Sequence, residues 1–291
     1  MMRKLLLQLD SSPYASAFDQ VVALDAGTDT VMSYAGVTEN AVRDLVHGAI
    51  FTRGPKDLHN TAIFIGGTDM AAGERLLTAV QAAFFGPLHV SVMLDSNGSN
   101  TTAVAAVAKL QQVAGNLRGV RVIVVAGTGP VGARAAGLLA RAGAEVVITS
   151  RNAASGTAAA DRIRQRFGGT VRDVALADSS HADAALAGAE LLLNAGPAGV
   201  RLVPLSAWTG RAGLQAIVDI NAVPPLGVEG IEVNDDGAQR GGIAAFGALA
   251  VGNLKMKIHR TCIARLFERS DRVLDAETIA DVARELAPAP G

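Results

Sequence analysis

The feature that most constrains this chain is the string Gly127-Thr128-Gly129-Pro130-Val131-Gly132, because of what stands on either side of it. Before it runs the all-apolar Val122-Ile123-Val124-Val125-Ala126, which reads as a strand buried on both faces. After it an apolar helix begins, with Gly132 in its first turn. In a chain with 32 glycines such a string can arise by chance. Between a buried strand and a helix, however, its glycines have separate mechanical tasks. The first makes the turn, the second admits a diphosphate to the backbone, and the third lets helix and strand approach. The N–H groups and dipole of the helix start then face the anion. Gly127, Thr128, Gly129, Pro130, Val131 and Gly132 are therefore expected to bind the diphosphate of a dinucleotide.

From that point the pattern is regular. Strands are expected at Val120 to Val125, Glu145 to Thr149, Val171 to Ala175, Leu191 to Asn194 and Leu214 to Ile220. Helices are expected at Val131 to Arg141, near Ala153 to Phe167, and at His181 to Ala187. Strand alternating with helix implies parallel pairing and right-handed crossovers, an α/β Rossmann-type doubly wound sheet. The second strand ends in Thr149-Ser150-Arg151, where an NAD-preferring domain carries an acid for the ribose 2′-hydroxyl. A hydroxyl and a guanidinium at Ser150 and Arg151 suit a 2′-phosphate instead, which favours NADP. The fourth strand runs into Gly196 and Pro197, and the fifth into Asp219, Ile220 and Asn221. Both lie at the carboxyl edge where open α/β sheets bind ligands. Gly196 and Pro197 are expected on the ribose and nicotinamide side; Asp219 and Asn221 read equally as site-facing groups or as strand-end caps.

The 291 residues exceed what one core comfortably fills, so two domains are expected. In the first third, strands are read at Leu5 to Leu9, Val21 to Leu24, Thr61 to Ile65 and His89 to Leu94. Helices are read at Thr38 to Ile50 and Asp69 to Phe85, with Thr38 and Thr68 as N-cap candidates. This is a smaller N-terminal α/β domain over residues 1–100, completed by a C-terminal helix within 270–291 that starts near Asp275 and stops at Pro288. The dinucleotide domain takes 101–269, including a crossing helix from Ser99 to Ala114 and a further one from Asn253 to Phe267. With no long linker between them, a cleft between two closely tied halves is the expectation.

Charge narrows the partners. The 26 basic and 27 acidic residues are interspersed, leaving no footprint for nucleic acid or an anionic membrane. The single cysteine, Cys262, excludes an intrachain disulfide and fits a reducing compartment, so the cytoplasm is the expected address. Leu5 to Leu7 is broken at Gln8 and is too short for a secretory core or a membrane span, and reads as a first strand. His47, His59, His89, His181 and His259 lack metal-ligand spacing, and no metal is expected. His259 reads as a packed or exposed helix residue and Cys262 as core.

Longer strings carry more information. Ala62 to Gly67, Met70 to Glu74, Asp95-Ser96-Asn97-Gly98-Ser99-Asn100-Thr101-Thr102-Ala103, Asn221 to Gly227 with its double proline, Phe246 to Leu249 and Gly252 to Lys257 stand beside the glycine turn. Together these resemble the NADP-dependent methylene-tetrahydromethanopterin dehydrogenases of methylotrophic bacteria, from the first strand to the last helix. The resemblance implies reversible oxidation of the methylene pterin to its methenyl form with hydride passing to NADP, and allows methylene-tetrahydrofolate as substrate. It also implies a homotrimer or hexamer, and a site lysine at Lys255. The chain departs from that pattern with Asn253 where glycine is usual. From the residues alone, Lys255 would be a helix-surface lysine.

With a reduced pterin as substrate, Asp95, Asn97, Asn100 and Thr102 could present polar groups from a helix N-terminus. They could equally be turn residues bonding their own backbone. Phe18, Asp19 and Gly66 are further substrate-side candidates. Two other readings remain open at this point: a non-catalytic NADP-binding sensor, and a methylenetetrahydrofolate dehydrogenase with cyclohydrolase activity or a shikimate- or glutamyl-type dehydrogenase.

Overall fold

The computed structural model describes residues 2–286, so Pro288 lies outside the described residues. In chain order the first elements are β1 (Leu5–Asp10), α1 (Ala17–Asp25), β2 (Thr30–Tyr34), α2 (Glu39–Ile50), β3 (Thr61–Gly66), α3 (Met70–Ala82), β4 (Ser91–Leu94) and α4 (Ser99–Ala114). Then come β5 (Arg121–Val125), α5 (Pro130–Arg141), β6 (Glu145–Ser150), α6 (Ala153–Phe167), β7 (Thr170–Ala175), α7 (Ala182–Ala185), β8 (Leu191–Asn194), α8 (Leu205–Trp208) and β9 (Ala216–Asp219). The chain finishes with β10 (Asp236–Arg240), β11 (Ile243–Phe246), α9 (Ala248–Arg265), β12 (Val273–Leu274) and α10 (Ala276–Leu286). It divides into two compact units, one of Met1–Thr101 with Met256–Gly291 and one of Thr102–Lys255.

The first unit is a five-stranded parallel sheet in the order β12-β4-β3-β1-β2. β3 is buried at every position, and alternate residues Leu7, Leu9, Ile63, Ile65, Val92 and Leu94 pack one face against Val42, Val46, Leu76 and Val80 of α2 and α3. The order reverses between β1 and β3, since β2 joins one side of β1 and β3 the other. At the far edge Val273 pairs with Val92 and Leu274 with Met93, and Ser91 Oγ donates to the Arg269 carbonyl at 2.7 Å. Asp275 and Thr278 cap α10 reciprocally: the Thr278 N–H donates to Asp275 Oδ1 and the Asp275 N–H to Thr278 Oγ1.

The second unit is a seven-stranded sheet ordered β10-β11-β9-β8-β5-β6-β7, parallel except for the edge pair β10 and β11. From β7 to β11 this is the doubly wound order 3-2-1-4-5-6, with its reversal between β5 and β8. Ile123, Val125, Leu192, Ile217 and Ala245 face Ala182, Ala185 and Trp208 on one side of the sheet. Among the described residues no helix is long and apolar enough to cross a membrane.

Three elements differ from the sequence expectation. Val21 to Leu24 lies inside α1, where the Ser16 hydroxyl accepts the Asp19 N–H and Val22 and Ala23 are buried. The local β-propensity of two valines yields to that cap and to burial of one helical face. The strand instead follows the Gly27 turn, at Thr30–Tyr34, as a half-exposed edge. The N-cap of α3 is Asp69 rather than Thr68, its carboxylate accepting the N–H groups of Ala71 and Ala72. The C-terminal share of the first unit begins at Met256, not 270, because the second half of α9 buries Ile258, His259, Cys262 and Ile263. Asn253 sits inside a continuous α9, where asparagine is a better helix former than glycine.

Candidate active site

In the second unit the backbone at the end of β5 turns through Ala126, which has a left-handed φ of 55°. The Ala126 N–H donates to Thr149 Oγ1 at 3.1 Å and the Gly127 N–H to the Thr149 carbonyl at 3.0 Å, so buried Thr149 holds the start of the turn. A Cβ on Gly127 would stand 2.6 Å from Ile148 Cβ, and one on Gly132 would stand 2.7 Å from the Ala126 carbonyl oxygen. The protein itself occupies the space at both. Gly129 is different, since a Cβ there would meet only the Ala126 oxygen, at an ordinary 3.5 Å. Its open surface, at the N-cap of α5 and beside the N–H groups of Val131 and Gly132, fits the close approach of an anionic diphosphate. Pro130 takes the first helical position, where its missing N–H costs nothing.

β6 ends at Ser150 beside this turn, and Arg151 follows it. Ser150 is buried and its hydroxyl donates to the Asn152 carbonyl at 2.6 Å, while Asn152 Oδ1 caps α6 through the Ser155 N–H. The serine proton is spent inside the turn. Arg151 is exposed.

The carboxyl ends of β8 and β9 meet in a buried network. Asn194 Nδ2 donates to Asp219 Oδ1 at 2.8 Å, and Asp219 also accepts the N–H of Asn221 at 3.0 Å and of Val228 at 2.8 Å. Burial pushes the Asp219 carboxyl above the usual range, and these donors work against that shift. Asn194 Oδ1 takes the Gly196 N–H at 3.2 Å. The side chain of Asn221 is turned into its own loop, donating to the Pro197 carbonyl and accepting the Val223 N–H. The Asn221 side chain is thus engaged by its own loop, and Asp219 by the strand-end donors around it.

In the first unit, Phe18, Asp19 and Gly66 gather at the reversal between β1 and β3. A Cβ on Gly66 would lie 3.2 Å from Phe64 Cε1 and 3.4 Å from carboxylate oxygens of both Asp10 and Asp19. Asp10 is buried and accepts the N–H groups of Ser12 and Ser16, whereas Asp19 is partly exposed. Behind them, fully buried His259 stacks on Phe64 with centroids 5.5 Å apart, lies 6.5 Å from half-exposed Phe18, and has Nδ1 4.0 Å from Asp95 Oδ2. Cys262, in the same helix, is core, and burial pushes its thiol up to about 12.

Asp95 and Asn100 are buried and bond within their own turn. Asp95 Oδ1 accepts the N–H groups of Asn100 and Thr101, Oδ2 accepts the Thr101 hydroxyl at 2.6 Å, and Asn100 Nδ2 donates to the Leu94 carbonyl. Asn97 is exposed in a left-handed turn, φ 59°, its amide bonded to the Thr68 carbonyl. Thr102, partly buried, is the first residue of the other unit. Asp95→Ala is expected to destabilise the protein by about 2 to 4 kcal/mol, since it strips buried donors of their acceptor. A denaturant midpoint equal to the parent's would overturn this cap.

Comparison with known proteins decides the family. An NAD(P)-dependent methylenetetrahydromethanopterin dehydrogenase of Methylorubrum extorquens is 32% identical over 299 aligned positions, covering 99% of this chain and 100% of its own. The chain belongs to the methylene-tetrahydromethanopterin dehydrogenase family. A second relative from the same organism, the bifunctional protein MdtA, is 49% identical over 288 residues, again 99% of this chain and 100% of the other. The model for the N-terminal region of methylene-tetrahydromethanopterin dehydrogenase matches residues 17–97. An FAD binding domain model matches 119–223, the strand, glycine turn and helix that FAD and NAD(P) domains have in common. Among solved structures, the ligand-free 5-ketofructose reductase of Gluconobacter has a TM-score of 0.54 at 18% identity, over 99% of this chain and 100% of that one, and shares the fold.

In this methylene-tetrahydromethanopterin dehydrogenase family member, the family-like strings have distinct physical tasks. Asp95 to Ala103 is the capped start of α4, and Asn221 to Gly227, with a cis peptide between Pro224 and Pro225, is the loop anchored on Asp219. Lys255 lies on α9, partly buried, with exposed Lys257 two residues on. Two features escape sequence reasoning, the His259 stack and the Asn194 to Asp219 bond. The second left a signal, an acid in the otherwise apolar Ala216-Ile217-Val218-Asp219-Ile220.

Proposed function

We propose that this chain oxidises methylene-tetrahydromethanopterin reversibly to the methenyl form with transfer of hydride to NADP. The observation that carries the reading is Gly129, whose glycine is required by no neighbour in the protein, set in the diphosphate turn of a family member that aligns with 100% of its relative. When bound, NADP supplies the hydride acceptor. The turn from Gly127 to Gly132 holds its diphosphate, Arg151 its 2′-phosphate, and Gly196 and Pro197 line the ribose and nicotinamide side.

The substrate carbon that loses hydride lies between two nitrogens whose lone pairs stabilise the resulting cation. No proton need be removed, and the protein's main task is positioning. Asp19, partly exposed beside Gly66, suits the N–H donors of a pterin ring, and Phe18 offers an apolar face to it. Asn97 and Thr102 stay as further substrate-side candidates. Lys255 orients or polarises the pterin through a bond to a ring nitrogen or oxygen. The enzyme works in the cytoplasm as a homotrimer or hexamer.

The test is formation of NADPH from methylene-tetrahydromethanopterin at a rate proportional to enzyme. NADP binding without turnover on that substrate or on methylene-tetrahydrofolate would replace the reading with a sensor. The folate compound is the second substrate to assay, since the resemblance to the family allows it. For the cofactor, Arg151→Ala should raise the NADP dissociation constant about tenfold to a hundredfold and leave NAD nearly unchanged. Equal NADP affinity in parent and variant, by calorimetric titration, would remove Arg151 from the site.

A further inference from the structure

We infer that Asp219 is a positioning residue which, with Asn194, sets the two loops that receive the nicotinamide half of the dinucleotide. The inference rests on the reading of this unit as an NADP-binding domain.

The geometry is that of a clamp. Asp219 ends β9 and Asn194 ends the neighbouring β8, opposite each other in register. Their side chains bond at 2.8 Å, and both residues are buried. From this bond the two loops are tied separately. Asn194 Oδ1 holds the Gly196 N–H, and the Asn194 carbonyl takes the Ile220 N–H at 3.2 Å. Asp219 holds the beginning of the second loop at the Asn221 N–H and its end at the Val228 N–H. The Gly227 carbonyl in turn accepts the N–H groups of Leu202 and Val203, so the end of the first loop is fastened to the end of the second. Gly227 has to be glycine for this closure, because a Cβ there would lie 1.8 Å from Asn194 Nδ2 and 3.0 Å from Asp219 Oδ1.

A carboxylate is the side chain suited to this place, because it is acceptor-only and meets only donors. An amide of the same shape would turn one NH2 group toward an N–H it cannot bond. The clamp lies beside β8 on the side of the reversal away from β6 and Arg151. Its failure should therefore shift the nicotinamide-side loops while the adenosine side keeps its grip.

The experiment separates these halves by calorimetric titration of the parent and of Asp219→Asn with NADP and with 2′-phospho-ADP, which lacks the nicotinamide riboside. In the variant, NADP binding should weaken by at least about tenfold while the fragment stays within about twofold. The KM for NADP should rise while the KM for pterin holds. Asn194→Ser, which removes the amide but leaves Asp219 in place, should show the same division and covers the case in which Asp219→Asn does not fold. Parent-like binding of both ligands in either folded variant overturns the clamp but leaves the nucleotide-site reading intact, and so does equal loss of both. A parent that binds neither ligand overturns that reading, and the clamp with it.

Discussion

Lys255→Ala lowers turnover at saturating methylene-tetrahydromethanopterin by at least about a hundredfold, or about 2.7 kcal/mol of barrier, while the NADP dissociation constant barely moves. The expectation rests on family membership and on the position of the lysine in α9, partly buried in a helix whose following turns bury Ile258, His259 and Cys262. A group that acts on the substrate only in the transition state lowers kcat and kcat/KM together; one that merely holds substrate raises KM. Lys257 supplies the control. It is exposed, and residues two apart do not share a helix face, so Lys257→Ala should behave like the parent. Near-parent turnover in Lys255→Ala would place the lysine on the surface and leave the dinucleotide turn untouched.

Gly129→Val removes NADP binding, with a loss of at least about a hundredfold in affinity, from a protein that still folds. The three glycines of the turn make this a selective test. Gly127 and Gly132 are hemmed in by Ile148 and by backbone, so a side chain at either disrupts folding and binding together. Gly129 has φ −75° and ψ 169°, an extended backbone that valine adopts readily, and only one atom near its missing Cβ. The poorer N-cap costs about 1 kcal/mol, well inside the margin of a folded domain. Circular dichroism of a folded variant that still binds NADP tightly would count against this turn as the diphosphate site.

The ease of reading the glycine turn and the difficulty of reading Asp95 have one cause. Gly127 to Gly132 owes its geometry to the strand before it and the helix after it, both evident in the local pattern of apolar residues. Whether Asp95 faces a ligand or caps α4 depends on which way a polar side chain turns after a strand, and Asp95, Asn100 and Thr101 would spell the same string in either case. Ser150 and Asn221 are hard for the same reason, since their partners, Asn152, Pro197 and Val223, lie in turns whose path no periodicity reports. Val21 to Leu24 misleads through β-branched propensity, although Ser16 and Asp19 carry the spacing of a helix start. The unit boundary inside α9 leaves no mark in composition because the helix is uninterrupted there.

The pairing of β12 with β4 bears on how the chain is made. The unit of Thr102–Lys255 is contiguous, whereas the other is interrupted by it, and His89 reaches Ser270 across 181 positions. On the ribosome β4 is therefore synthesised long before the strand that covers it. Until Val273 and Leu274 emerge, β4 is an open edge of apolar residues, the kind of template that other unfolded chains join. Loop closure over that separation falls late and makes this the slower unit, so its period of risk during synthesis is set by the translation time of the insert.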